Sequence, residues 1–206
     1  MASNIKVSVI IPVYNQEKLI IKAIESIPKR SEIEIIVIDD GSTDKTWDNL
    51  LKYINEHEEL INFVLLYNEE NKGVAYTVNK GYECAIGEYV VLLGSDDYFY
   101  TDKFEQALKE LDGTDLIYFN LQINDGTVWR ISEQNKDFYC GSVKFMRNEF
   151  IGNTRCPEEK RQAEDRVFYN ELLNKNPSEK FTDITVKHYN FPRKDSLTDL
   201  FLKGLI

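Results

Sequence analysis

The first half of the chain alternates short apolar runs with longer amphipathic stretches. Continuous apolar runs bounded by turn residues are typical of buried strands in a parallel sheet. Four such strands are predicted, over residues 6–11, 33–38, 62–67 and 88–93. The connecting stretches carry apolar residues at helical spacing and predict helices over 16–27, 43–58 and 73–85. Strands joined by helices indicate an α/β fold with a doubly wound, mainly parallel sheet.

The second half has a less regular pattern. Helices are predicted over residues 102–111, 141–148, 161–174 and 197–205, and strands over 116–123, 127–131 and 181–191. The Asn124-Asp125-Gly126 turn between the first two of these strands is typical of an antiparallel hairpin. No repeat or linker divides the chain. We therefore expect one domain over residues 1–206, with a seam near residues 99–102 between residues 1–100 and 101–206.

Two acidic turns follow two of the predicted strands. Asp39 and Asp40 follow one strand, and Ser95, Asp96 and Asp97 follow another. Because ligands in open α/β sheets bind at the carboxyl ends of the strands, we expect these side chains to line one site. Carboxylate pairs suit a hydroxylated ligand held together with a hard divalent cation. A nucleotide diphosphate with its metal fits that description.

Composition narrows the classes of partner. The 206 residues include 25 Lys and Arg against 35 Asp and Glu, a net charge of −10, which disfavours non-specific binding to nucleic acid because such binding needs clustered positive charge. No apolar run approaches the roughly 20 residues of a membrane-spanning helix, and no signal-peptide pattern is present. The three cysteines have no CxxC spacing, which favours free thiols in a reducing compartment. We expect a cytoplasmic protein.

Five short motifs occur in order along the chain. They are SVIIPVYN at 8–15, VIDDGSTD at 37–44, NKGVAYTVNKG at 71–81, GEYVVLLGSDD at 87–97 and AEDRVF at 163–168. Together they resemble the motifs of the family 2 glycosyltransferases. The resemblance implies a GT-A fold, a nucleotide-sugar donor, a divalent metal and inverting transfer. It also implies an acceptor with a hydroxyl group, such as a glycan or a cell-surface polymer, and a role in polysaccharide biosynthesis.

The end of the first strand and the first acidic turn are expected to bind the nucleoside. Pro12, Val13 and Tyr14 end the strand, where the Tyr14 ring can lie against a base. Asp40 is expected to accept the imide N–H of uracil, which cytosine lacks, so UDP is the expected nucleotide. Asp39 is expected to bind ribose hydroxyls. The alternatives are ordinary packing for Tyr14 and a helix cap for the acidic turn.

The glycine-containing motif adds further donor-site candidates. Lys72, Gly73 and Asn79 are expected to contribute to donor binding, with Lys72 or Lys80 near the phosphates. A solvated surface position is the alternative for either lysine.

The second acidic turn is the expected metal site. Asp96 and Asp97 provide oxygen ligands for Mn²⁺ or Mg²⁺, and Ser95 and Asp96 are expected to contact the donor. The family often has its first motif aspartate where this chain has Gly94, so which aspartate binds the metal stays open. His188 is a further metal-ligand candidate, with a structural role in a strand as the alternative.

The catalytic base is expected to be Asp165. Inverting transfer needs one carboxylate to take the proton of the attacking hydroxyl. The alternative is that Glu164, Asp165 and Arg166 form only the charged first turn of a helix. Arg193 and Lys194 are candidates for a lid over the diphosphate, and the segment 197–206 is a candidate for peripheral contact with the inner face of a membrane.

Two other functions remain open at this point. A nucleotidyltransferase would need a Gly-rich, Arg-containing phosphate loop after the first strand, and the sequence there is PVYN. A non-catalytic nucleotide-binding or sugar-binding relative is favoured by Gly94 and disfavoured by Asp96, Asp97 and Asp165.

Overall fold

The computed structural model describes residues 5–57, 62–136, 144–159 and 164–193. Its strands form one sheet: β1 (Val7–Val13), β2 (Ile33–Asp39), β3 (Asn62–Tyr67), β4 (Tyr89–Leu92), β5 (Tyr98–Phe99), β6 (Leu116–Gln122), β7 (Val128–Trp129), β8 (Lys144–Arg147) and β9 (Glu179–His188). Its helices are α1 (Ile20–Glu25), α2 (Thr46–His57), α3 (Val74–Cys84), α4 (Thr101–Ala107), α5 (Asn148–Ile151) and α6 (Glu164–Leu173). A 3-10 turn over Leu108–Glu110 extends α4.

The first half is a parallel sheet in the order β3-β2-β1-β4. β1 pairs in parallel with both β2 and β4, so the chain adds strands on one side of β1 and then crosses to the other side. The predicted strands and their helical connections are confirmed here. A crevice forms where the direction of winding reverses, at the carboxyl ends of these strands.

The rest of the sheet continues in the order β8-β6-β9-β5, with β7 paired to β6, and all of these strands except β5 come from the second half. β8 is antiparallel to both β4 and β6, so β6 runs in the same direction as β4. The predicted hairpin is confirmed by the antiparallel pairing of Leu121 with Trp129. The expected α/β fold with a small antiparallel element is confirmed.

The helix predicted over residues 141–148 is wrong where the structure describes it. Lys144–Arg147 is strand β8, and helix α5 begins only at Asn148. The three buried residues of β8 insert between β4 and β6, and this pairing with distant strands decides their conformation. Residues 141–143, the first part of the 161–174 helix, the 197–205 helix and Lys194 lie outside the described residues.

Hydrophobic cores cover both faces of the sheet. Alternate side chains of β1 point to opposite faces, so Val9 and Ile11 pack in one core and Ile10 in the other. Helices α1, α2 and α4 cover the first face, and α3, α5 and α6 cover the second. None of the helices in the described ranges is long and apolar enough to span a membrane.

Candidate functional site

Two loops at the carboxyl ends of β1 and β2 are fixed to each other. Asn15, at a φ of 52°, donates its backbone N–H to Ser42 Oγ at 2.9 Å. Its own Oδ1 accepts the Thr43 N–H at 2.8 Å. Helix α2 begins at Thr46, whose N–H bonds to Asp44 Oδ1 at 2.9 Å. Asp44 therefore caps the helix, which begins three residues later than the predicted start at residue 43.

Asp39 ends β2 with a fully buried side chain. Its Oδ1 accepts the Ser42 N–H at 2.8 Å. Its Oδ2 is also buried and has no hydrogen-bond partner among the described residues. Burial raises the pKa of the Asp39 carboxyl above its usual range. Since a buried acceptor without a partner is costly, this oxygen is the candidate contact for a ligand.

Asp40 uses its carboxylate within the protein. Its Oδ1 accepts bonds from Asn68 Nδ2 at 2.8 Å and the Lys72 N–H at 2.9 Å. Its Oδ2 accepts the Gly73 N–H at 2.9 Å. Asp40 thus holds the loop 68–73, which joins β3 to α3, against the end of β2. Both oxygens of Asp40 are therefore bonded, whereas Asp39 keeps one buried oxygen without a partner.

Gly41 allows that loop to approach closely. Its φ is +72°, and a Cβ added there would lie 2.7 Å from the backbone carbonyl carbon of Glu70. The glycine is therefore required both by its own conformation and by its neighbour.

The end of β1 lies beside Asp39, as predicted. Val13 and Asp39 are register partners, and Pro12 faces Ile38 in the same pairing. Tyr14 follows with 42% of its surface exposed. The Tyr14 ring is therefore exposed at the strand end, whereas Val13 is buried.

Asp97 of the second acidic turn is held by a buried ion pair. Its Oδ2 lies 2.9 Å from Lys187 Nζ, with the two side chains 3% and 1% exposed. Its Oδ1 accepts the Asn190 N–H at 2.9 Å. A Cβ at Gly94 would lie 2.8 Å from Asp97 Oδ2, so the glycine leaves room for this carboxylate. This contact gives a physical reason for Gly94.

Asp96 lies next to it and is more open, with 20% of its side chain exposed. Its Oδ2 lies 2.8 Å from Arg193 Nε. Burial, followed by the charge of Asp97, raises the pKa of the Asp96 carboxyl. Ser95 precedes it as a buried residue.

The second acidic turn offers one accessible carboxylate, that of Asp96, to a cation. No group of three or more His, Cys, Asp or Glu side chains gathers as a metal site in the described ranges. Mg²⁺ is usually bound through one or two carboxylates with substrate phosphates and waters completing the shell, and Asp96 alone can supply the protein ligand in that mode. Asp96 is the more accessible of the two, because Asp97 is enclosed with Lys187.

His188 is surrounded by protein groups. Its ring stacks on Tyr98 with centroids 4.5 Å apart. Its Nε2 lies 2.9 Å from Asn124 Oδ1, and its Nδ1 lies 3.4 Å from the Tyr100 hydroxyl. Burial, helped by the charge of Lys22, lowers the pKa of His188. These contacts favour the structural alternative over metal ligation.

The glycine-containing motif contributes mainly structure. Lys72 Nζ pairs with Glu70 Oε1 at 2.5 Å on the surface. Asn79 donates to the Cys156 carbonyl at 2.9 Å and accepts the Cys156 N–H at 2.8 Å. Asn79 therefore fastens α3 to the chain that leads toward α6, while the backbone N–H groups of Lys72 and Gly73 bond to Asp40 of the acidic turn.

Asp165 lies in the first turn of α6 and accepts the Arg166 N–H at 2.8 Å. The end of α6 leads into β9, which starts beside Leu116 at the beginning of β6. The carboxyl-terminal end of α6 therefore lies near the edge of the sheet where β6 begins. Burial raises the pKa of the adjacent Glu164.

The protein-family model for glycosyl transferase family 2 matches residues 8–178 of this chain. The chain belongs to this family. A similar uncharacterized glycosyltransferase of Rickettsia felis is 38% identical over 143 residues, which are 67% of this chain and 23% of that protein. The putative teichuronic acid biosynthesis glycosyltransferase TuaG of Bacillus subtilis is 39% identical over 127 residues, 59% of this chain and 49% of TuaG. The family 2 chain thus spans less than half the length of either relative.

Solved structures of similar shape confirm the GT-A fold of this family 2 chain. S. aureus TarS 1–349 in complex with UDP is 25% identical with a TM-score of 0.76, covering 90% of this chain and 60% of that one. The mannosyltransferase PcManGT from Pyrobaculum calidifontis in complex with GDP-Man and Mn²⁺ is 20% identical with a TM-score of 0.73. The match covers 97% of this chain and 64% of PcManGT.

Three residues that position the acidic turns were not found from the sequence. Asn15 and Asn68 hold the loops around Asp39 and Asp40, and Lys187 holds Asp97. Asn15 carries a weak signal, since Asn is one of the few residues that adopt a positive φ readily. Lys187 lies 90 residues from Asp97, and no local pattern connects the two.

Proposed function

We propose that this family 2 domain transfers a sugar from a nucleotide diphosphate sugar to a hydroxyl group, with UDP as the nucleotide and inversion at the anomeric carbon. The observation that carries the proposal is the buried, unpartnered Oδ2 of Asp39 at the strand edge that also presents Asp96. β2 and β4 flank β1, so the two turns are about two strand spacings, roughly 10 Å, apart. A nucleoside at one turn and a diphosphate at the other suit this arrangement.

Base recognition is assigned to Asp39 and Tyr14. The imide N–H of uracil donates to Asp39 Oδ2, while the Tyr14 ring lies against the base. Cytosine offers no N–H at the equivalent ring position, so CDP leaves the buried oxygen unsatisfied. Asp40 takes part indirectly, because it fixes the loop 68–73 beside the base. The TarS structure with UDP supports this choice of nucleotide.

The phosphates are assigned to the second acidic turn. Asp96 holds the divalent cation, with Asp97 fixed behind it by Lys187, and Ser95 adds a donor contact. A bound Mn²⁺ or Mg²⁺ neutralises charge on the diphosphate leaving group. Arg193 brings a guanidinium to the same place through its pair with Asp96. The PcManGT structure with Mn²⁺ is consistent with a divalent ion at this fold's donor site.

Asp165 is assigned the role of general base. It takes the proton of the attacking hydroxyl on a glycan, a cell-surface polymer or another acceptor. The support is its place in the first turn of α6, within the AEDRVF motif that resembles the family's catalytic segment. Lys72 and Asn79 are left out of the donor contacts, because their side chains bind protein groups.

Calorimetry with UDP, CDP and GDP, each with Mn²⁺ and with a chelator, tests the donor assignment. UDP with Mn²⁺ should bind most tightly, and the chelator should weaken it. Asp96→Asn should lower affinity only in the presence of the metal, whereas Asp39→Asn should lower it in both conditions. Equal affinity for UDP and CDP would remove the base-reading role of Asp39.

A further inference from the structure

A groove of about 500 Å³ opens between the end of β3 and the outer side of α3. Two tyrosines contribute its aromatic surface: Tyr67 is 43% exposed and Tyr76 is 37% exposed. Tyr67 packs against Trp47, with ring centroids 5.0 Å apart, and this contact holds the Tyr67 ring in place. The volume lies within the range of small-ligand sites, roughly 300–1,000 Å³.

The polar lining of the groove is balanced in charge. Glu69 and Glu70 face Lys72 and Lys80, so the four formal charges sum to zero. Lys72 pairs with Glu70 at 2.5 Å. Lys80 Nζ donates to the Tyr67 carbonyl at 3.1 Å and to Asn68 Oδ1 at 2.9 Å. The lining therefore offers many hydrogen-bonding groups but no net positive charge that would attract an anion.

We propose that this groove binds a neutral saccharide segment, as a glycan-binding subsite separate from the donor site. Pyranose rings have apolar faces that suit exposed tyrosine rings and hydroxyl edges that suit balanced donors and acceptors. A phosphate or nucleotide would need a positively charged lining, whereas the formal charges of this groove cancel and the chain carries a net charge of −10.

The groove adjoins the donor site through one shared element. The loop 68–73 supplies groove side chains such as Glu70, while Asp40 holds its backbone at the end of β2. A saccharide in the groove would therefore extend along the outer edge of the sheet beside the donor. The subsite takes a neutral glycan whether or not UDP is the donor nucleotide, so the two proposals fail separately.

NMR titration of the full chain with cellotetraose and chitotetraose tests the subsite. The two tryptophans give two indole N–H signals, and only that of Trp47, which contacts Tyr67, should shift. Trp129 lies in β7 and serves as the internal control. Tyr76→Ala should weaken binding by roughly three- to tenfold, the usual worth of one aromatic contact, with unchanged UDP affinity. Tyr76→Phe keeps the ring and should retain most of the affinity.

Any one of three results would overturn the proposal. The first is that neither tetrasaccharide shifts the Trp47 signal. The second is that Tyr76→Ala keeps the parent melting temperature and binds the sugars as tightly as the parent. The third is that a sulfated tetrasaccharide shifts the Trp47 signal while the neutral ones do not. Lys52→Ala, on the exposed side of α2, is the matched surface control and should bind both neutral sugars normally.

Discussion

Asp39 and Asp40 are adjacent residues of the same type, yet their carboxylates make different hydrogen bonds. Successive side chains leave a strand on opposite faces, so the last residue of β2 and its successor meet different surroundings. Asp40 accepts hydrogen bonds from three donors of the loop 68–73, whereas Asp39 accepts one and keeps a buried oxygen without a partner. The sequence predicts the pair as a site, but it cannot distinguish the two, because the distinction depends on donors about 30 residues away.

Replacing Asp39 by Asn should weaken UDP binding and stabilise the free protein. Since burial raises the pKa of folded Asp39, the ionised side chain costs stability at neutral pH. Asn removes that charge and should raise the melting temperature at pH 7.5. The gain should shrink as the pH falls through the raised folded pKa toward 4, where the parent carboxyl is itself protonated. Thermal melts at pH 7.5 and pH 4, with UDP calorimetry, measure both effects. A destabilised variant with normal UDP affinity would contradict the assignment.

Asp165→Asn should lower turnover by roughly 10²- to 10⁴-fold while leaving UDP affinity nearly unchanged, because a general base acts only as the proton moves. Glu164→Gln is the matched control and should cost less, since consecutive helical residues do not share a face. The measurements are transfer rate, UDP affinity and melting temperature on both variants. If Asp165 only stabilises α6 as a negative charge in its first turn, Asp165→Asn should lower the melting temperature and leave turnover unchanged.

The elements of the first half follow from local pattern, and those of the second half do so only in part. Each parallel strand is a continuous apolar run, so its length and position are visible in the sequence. β8 begins with a buried Lys144, and its two apolar residues give too short a run to distinguish a strand from a helix. The two-residue β5 exists only because it pairs with β9, almost 90 residues later.

Gly41→Ala should destabilise the loop 68–73 and weaken UDP binding. Its φ of +72° strains any L side chain, and the added Cβ would clash with the Glu70 backbone. Gly113→Ala is the matched control, because its φ is +95° but nothing lies within 4 Å of the added Cβ. Both variants should lose about 1 kcal/mol from backbone strain, and Gly41→Ala should lose more. Urea unfolding measures the difference, and equal losses would show that the close approach carries no energy.

At the scale of the whole molecule, the site depends on contacts between the two halves. Lys187 and Asn190 of the second half fix Asp97 of the first, and Asn79 fastens α3 to Cys156. The sequence predicts which strand ends carry chemistry, because that depends on local pattern. It does not predict these partners, because pairs separated by about 80 to 90 residues are brought together only by the completed sheet.

Lys187→Met should destabilise the whole fold, because it leaves the Asp97 carboxylate buried without its cation. The two side chains are 1% and 3% exposed, and removing one partner of such a pair typically costs about 3–5 kcal/mol. Adding Asp97→Asn in the same chain removes the stranded charge, so the double variant should recover part of the loss. Urea unfolding of the parent, both single variants and the double variant gives the coupling energy. Lys180→Met is the control, since Lys180 pairs with Glu110 and Asp112 near the surface and its loss should cost little. If the double variant is as unstable as the sum of the two single variants, Lys187 and Asp97 are not coupled and the halves are held together by packing alone.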